Sequence, residues 1–133
     1  PMVEASEMRF HGNSQTSHHL IYVGHLPRMN RQAPHWGVRW NLKRNCLKQW
    51  GIWPRPASQK AHVTVTRVLG PRERLMDEWE NGSVAFKGGS DALVQGNYLV
   101  DDSPQWATFE CRQDASRRSL GPRMEVDVRY ESA

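Results

Sequence analysis

The spacing of apolar positions changes several times along the chain, and each change marks an element. The run from His19 to Val23 (HLIYV) predicts a first strand, closed by Gly24 and then Pro27, with a loop from Pro27 to Arg31. From Trp36 to Trp50, Trp36, Trp40, Leu47 and Trp50 recur at spacings of four, seven and three. That period predicts a helix with these residues on its core side, stopped by Gly51. Arg39, Lys43, Arg44 and Lys48 fall mainly on its other faces. Pro54 and Pro56 force an extended connector. In Ala61 to Leu69 the period drops to two, Val63 and Val65 alternating with His62, Thr64 and Thr66, which predicts a half-buried strand ended by Gly70-Pro71.

Asn81-Gly82-Ser83 supply a turn and a Ser cap for a second helix near Ser83 to Gln95. Gly88-Gly89 inside it costs roughly 1 kcal/mol per glycine relative to alanine, which predicts close backbone packing or an irregular helix. Two strands close the chain, Trp106 to Arg112 and Arg123 to Tyr130, joined through DASRRSLGP as a hairpin connection. In the second, Val126, Val128 and Tyr130 alternate with Glu125, Asp127 and Arg129. The order strand, helix, strand, helix, strand, strand predicts an α+β domain with a small mixed sheet packed with two main helices.

Residues 1–18 are polar without sustained periodicity and read as a mobile arm, leaving residues 19–133 as a single domain. A chain of 133 residues with 38% hydrophobic content suits one modest core. No apolar run approaches the roughly 20 residues that cross a bilayer, and the start lacks the order of a signal peptide, so the protein is expected to be soluble and cytoplasmic. Cys46 and Cys111 make no disulfide framework and are expected to be buried thiols; the six histidines follow no metal-ligand spacing.

Charge sharpens the picture when divided along the chain. Residues 1–70 hold ten Lys/Arg against two acids, and residues 71–133 hold eight against twelve, so +8 and −4 make up the net +4. A basic protein favours a polyanionic partner, since each Lys or Arg placed on a phosphate releases condensed counterions. Lys43, Arg44, Lys48, Arg117 and Arg118 are the DNA-contact candidates.

Within this basic chain lies a string of acids: Asp77, Glu78, Glu80, Asp91, Asp101 and Asp102, with Lys87 among them. Glu78 and Glu80 precede the second helix, and Asp101-Asp102 follow it. In an extended segment a spacing of two points both glutamates to one side, able to grip a cation. Hard cations such as Mg²⁺ are held by one or two carboxylates together with substrate phosphates. Ordinary explanations stand beside this one. Acids before a helix interact favourably with its dipole, Asp-Asp is common in turns, and a Lys four residues before an Asp is a standard helical pair. On that reading the acids are a solvated surface of some other α+β protein.

The stretch EWENGSVAFKGGSDALVQGNYLVDDSPQW is similar to the signature of the RusA family of Holliday-junction resolvases, in which D-x-D-N is followed by a Lys-bearing helix, D-A-L, a short linker and D-D. Here the corresponding pieces are Glu78-x-Glu80-Asn81, Lys87, Asp91-Ala92-Leu93 and Asp101-Asp102. Leu26-Pro27-x-x-Asn30-Arg31 and His35-Trp36 also resemble the family's opening strand and loop, so the resemblance runs from about Leu20 to Tyr130. It implies a RusA-like homodimeric nuclease of recombination and repair, often carried by phages, that nicks opposing strands of a four-way DNA junction using Mg²⁺, with Mn²⁺ as a substitute. By position, Glu78, Glu80 and Asp102 would be the metal-binding and catalytic acids and Lys87 the catalytic lysine. Asp77, Asn81, Asp91 and Asp101 would support them. The family's two aspartates are glutamates here, and each added methylene moves a carboxylate outward by about 1.5 Å. Either the backbone is set back, or the protein is a catalytically impaired DNA-junction-binding relative.

Overall fold

The computed structural model describes residues 6–11, 15–25, 35–75 and 86–132. Seven elements follow in order: β1 (Ser6–His11), β2 (Gln15–Val23), α1 (His35–Trp50), β3 (Ala61–Val68), α2 (Lys87–Gln95), β4 (Ala107–Asp114) and β5 (Arg123–Tyr130). The strands form one sheet in the order β1-β2-β5-β3-β4, so β3 lies between β4 and β5 and the DASRRSLGP connection is not the hairpin expected from the sequence. Among the described strands only β3 and β4 run parallel, and α2 lies in the connection between them, as a parallel pair requires. The other pairings are antiparallel, so the fold is α+β with a mixed sheet and two helices, as the hydrophobic pattern predicts.

One correction concerns the start of the chain. Residues 6–11 and 15–18, expected to belong to a mobile arm, form a hairpin ladder with Ser6 opposite Leu20 and His11 opposite Gln15. Polar strands lack the alternation that marks a half-buried one, and pairing of β1 with an already anchored β2 supplies the order that composition does not show.

The core lies between one sheet face and the two helices. Val63 sits opposite Val128, and Val65 and Leu20 both flank Val126, so inward positions of β2, β5 and β3 form one apolar layer. Leu42, Cys46 and Trp50 of α1, with Phe86, Ala92, Leu93, Tyr98 and Leu99, cover it. Alternation in β3 is as expected, with Ala61, Val63 and Val65 buried and His62, Thr64 and Thr66 half-buried.

The seam predicted for α1 is corrected in phase. At about 100° per residue, Leu42, Cys46 and Trp50 share one face, and Trp40 lies roughly 200° from Leu42. Trp40 is accordingly 52% exposed rather than in the core. Cys46 is buried as expected, and burial pushes its thiol pKa well above the ordinary value; Cys111 is only half-buried.

Glu125 breaks the alternation of β5, since it is buried where an outward residue was expected. Arg117 donates two bonds to its carboxylate at 2.9 and 3.0 Å, and Arg123 donates from Nη2 at 2.6 Å. A buried carboxylate is tolerable only when paired and hydrogen-bonded in this way.

Candidate functional site

α2 is placed by the absence of side chains. A Cβ on Gly88 would overlap the Arg39 carbonyl oxygen and lie 2.9 Å from Leu42 Cβ and 3.1 Å from Lys43 N, so α1 and α2 pack backbone to backbone. A Cβ on Gly89 would stand 2.7 Å from Cδ1 of the buried Phe86 ring. The glycine pair therefore reflects close packing, one of the two outcomes its cost predicted. Asp91 locks the same contact from the side, accepting from Arg39 Nε at 2.6 Å and from Arg39 Nη2 at 3.1 Å. This fork geometry favours Arg over Lys.

The chain leaves α2 in a sequence of anchored steps. Gly96 N donates to Ala92 O at 2.8 Å, and Asn97 adopts φ +72°, a left-handed conformation that Asn accepts more readily than most residues. Its side chain donates to Trp53 O at 2.9 Å. Tyr98 Oη donates to Trp50 O at 2.9 Å, and Tyr130 Oη donates to Tyr98 O at 2.6 Å. The turn after α2 is thus tied to the end of α1 and to β5 before the acidic pair emerges.

These constraints bring Lys87 and Asp102 together across 15 residues, Lys87 Nζ donating to Asp102 Oδ2 at 2.6 Å. The Lys87 hydrogen bond pulls the Asp102 pKa below the ordinary carboxylate value, against partial burial, with the Lys87 charge and a bond from Ser90 adding to it. Asp102 is therefore ionised at neutral pH. The single Ser90 hydroxyl proton can also go to the Lys87 backbone O, 2.9 Å away, so Ser90 borders both residues of the pair. With side-chain exposures of 42% and 24%, such a pair contributes only about 0.2–1 kcal/mol. Stability is a weak reason for this pairing.

Asp101, beside it, is exposed. Asp77, Glu78, Glu80 and Asn81 lie outside the described residues, as does the Pro27–Arg31 loop. Among the described residues no three His, Cys, Asp or Glu side chains converge as a metal-holding group. Asp102 nevertheless has the chemistry of a Mg²⁺ ligand: a hard, ionised oxygen donor that solvent can reach.

The basic candidates divide into two groups. Arg117 bonds Asp114 and Glu125, tying the loop before β5 to the end of β4 and to β5 itself, and Arg118 donates to Gly70 O at 2.7 Å and Glu73 O at 2.6 Å, tying that loop to the segment after β3. Lys43, Arg44 and Lys48 instead line a cleft of about 360 Å³ with Trp40, Leu47 and Gln95. Sequence reading missed Arg39 and Ser90. Ser90 stands three residues after Lys87, a helical neighbour that spacing reveals; Arg39 is 52 residues from Asp91 and carries no local signal.

No protein-family model matches the chain, and no curated protein matches it. Among solved structures it is similar to the periplasmic domain of Helicobacter pylori MotB, at 11% identity over 97% of this chain and 82% of that one, with a TM-score of 0.42. A likeness so loose carries no functional argument. Among the described residues no helix is long and apolar enough to cross a membrane.

Proposed function

We propose that this protein is a divalent-metal-dependent endonuclease that resolves four-way DNA junctions in recombination and repair, in the manner of the RusA family its acidic signature resembles. The observation that carries this reading is the 2.6 Å contact between Lys87 and Asp102. Two residues singled out by position in the signature meet at opposite ends of one segment, at an exposure where stability alone is little reason for the contact. The open basic face of α1, packed against the same helix, adds a surface of the right charge for DNA.

Glu78, Glu80 and Asp102 would hold a divalent ion, which when bound supplies an activated water and screens phosphoryl charge. Asp102 is kept ionised by Lys87, so it needs no proton loss to act as a ligand. Lys87, partly exposed, presents a cation where the scissile phosphate would enter, positioned to stabilise charge building on its oxygens. Ser90 and the Gly88 contact hold the start of α2, and therefore Lys87, in place. Two opposed nicks would require two such sites related by a two-fold axis, hence a homodimer.

The test is a labelled four-way junction incubated with wild type, Asp102→Asn and Lys87→Met, with Mg²⁺, Mn²⁺ or chelator. Wild type is expected to give paired nicks only with metal. Each variant should lose roughly 10²-fold or more in rate while still binding the junction in chelator. Binding by wild type with no cleavage in either metal would refute the nuclease reading and leave a junction-binding protein. Neither binding nor cleavage would refute both.

A further inference from the structure

The cleft on α1 has a composition that neither the core nor the Lys87–Asp102 pair explains. Trp40, Arg44, Leu47 and Lys48 lie on one side of the helix at steps of four, three and one, with Lys43 at its margin. Trp40 is the aromatic residue among the described exposed large apolar side chains, and half of its surface is open. Arg44 stacks over its ring, with the guanidinium carbon 5.4 Å from the centroid. Cations and an aromatic face thus share one groove.

None of Lys43, Arg44 and Lys48 pairs with a carboxylate among the described residues, whereas Arg39, one turn before Lys43, is held by Asp91. Lys48, in the last turn, is accounted for by the helix dipole. Lys43 and Arg44 sit mid-helix, where the dipole gives them nothing. A groove whose three cations meet no carboxylate among the described residues fits a polyanion, and an exposed indole in its lining fits a flat unpaired base. Duplex DNA, whose bases are stacked inside, has no use for the indole.

We infer that this groove binds single-stranded nucleic acid, with Trp40 stacking an unpaired base and Lys43, Arg44 and Lys48 holding the flanking phosphates. The inference goes beyond the nuclease reading and needs neither metal nor cleavage. Gln95 closes the groove at the far end of α2 from Lys87, about 12 Å along the helix at 1.5 Å per residue. The groove and the candidate catalytic pair are therefore separate places along α2.

The test is fluorescence anisotropy in chelator with a labelled oligo(dT) of about 15 nucleotides and a duplex of the same length, a size spanning known single-strand sites. Trp40→Ala is expected to weaken oligo(dT) binding roughly 5- to 150-fold and duplex binding far less. Trp40→Phe, which keeps a stacking ring, should recover most of the loss. Lys43→Ala with Lys48→Ala should weaken both probes and flatten the salt dependence. Trp40 is half-exposed, so these variants should fold, which circular dichroism checks. The inference is overturned if wild type does not bind oligo(dT), if Trp40→Ala binds it like wild type, or if both probes lose equally. It is also overturned if Trp40→Ala changes only the oligomeric state, which would make the groove a contact between copies.

Discussion

Replacing Gly88 with alanine sets two effects of opposite sign against each other. By helix propensity alone the change should stabilise α2 by about 1 kcal/mol. The added Cβ, however, would overlap the Arg39 carbonyl oxygen and press to 2.9 Å from Leu42 Cβ and 3.1 Å from Lys43 N. Two of these three are backbone atoms of α1, which cannot swing aside as a side-chain tip can. The helices must move apart, loosening the contact over Leu42 and the Arg39–Asp91 fork. Overpacking of a close-fitted site costs about 1–3 kcal/mol and sometimes more, so a net loss of about 2 kcal/mol is expected. Gly37 provides the control, because a Cβ there would meet nothing within 4 Å among the described residues; Gly37→Ala should gain about 0.5–1 kcal/mol. Thermal unfolding of the two variants beside wild type reads the difference, at about 2–8 °C per kcal/mol for domains of this general size. Gly88→Ala should melt lower than wild type and Gly37→Ala higher. If Gly88→Ala melts as high as Gly37→Ala, the backbone-to-backbone account of the α1–α2 contact is wrong.

Further predictions concern buried charge. His18 is buried among Trp53, Tyr98 and Tyr130, its Nδ1 has no hydrogen-bond partner among the described residues, and burial lowers its pKa from 6.5 to about 4. Between those values the unfolded chain binds a proton that the folded chain does not, so stability is full above pH 6.5 and falls toward pH 4. The loss attributable to His18 is about 3 kcal/mol at most. Urea unfolding at pH 7 and pH 4.5 should show a smaller drop for His18→Phe than for wild type, and equal drops would refute the assignment. Glu125→Ala leaves Arg117 and Arg123 without their shared carboxylate and should cost about 2–3 kcal/mol, below the full cost for a buried pair because Arg117 is 37% exposed. Denaturant titration checks it, and a change under 0.5 kcal/mol would show that the Arg117–Glu125–Arg123 cluster is mere surface charge.

Where local pattern carries the signal, the chain reads well. The period-two run at Ala61, Val63 and Val65 becomes β3, the closing run from Arg123 becomes β5 with the expected bounds, and α1 ends at Trp50 before Gly51. Where the signal depends on what an element packs against, reading along the chain goes astray. Spacing puts Trp40 on one helical face with Trp36, Leu47 and Trp50, yet the sheet lies on the Leu42–Cys46–Trp50 side. Alternation with Val126, Val128 and Tyr130 puts Glu125 outward, yet two arginines neutralise it inside. Residues 6–11 carry no strand pattern at all and are ordered by their partner.

The candidate site divides in the same way. Sequence alone marks Lys87 and Asp102 as chemically notable, shows that acids flank one helix, and predicts from the cost of Gly88-Gly89 either close packing or irregularity. The flanking acids and the glycine cost follow from residue type and spacing, and the choice of Lys87 and Asp102 from the resemblance of the acidic stretch to the RusA signature. That Lys87 touches Asp102, that Asp91 is spent on Arg39 rather than left for a ligand, and that Arg117 and Arg118 face protein partners while Lys43, Arg44 and Lys48 stay open were decided only by the fold. The reason is physical. Propensity and period act over a few neighbouring residues, whereas the partner that neutralises a charge or leaves it free comes from wherever packing of the sheet and helices happens to deliver it.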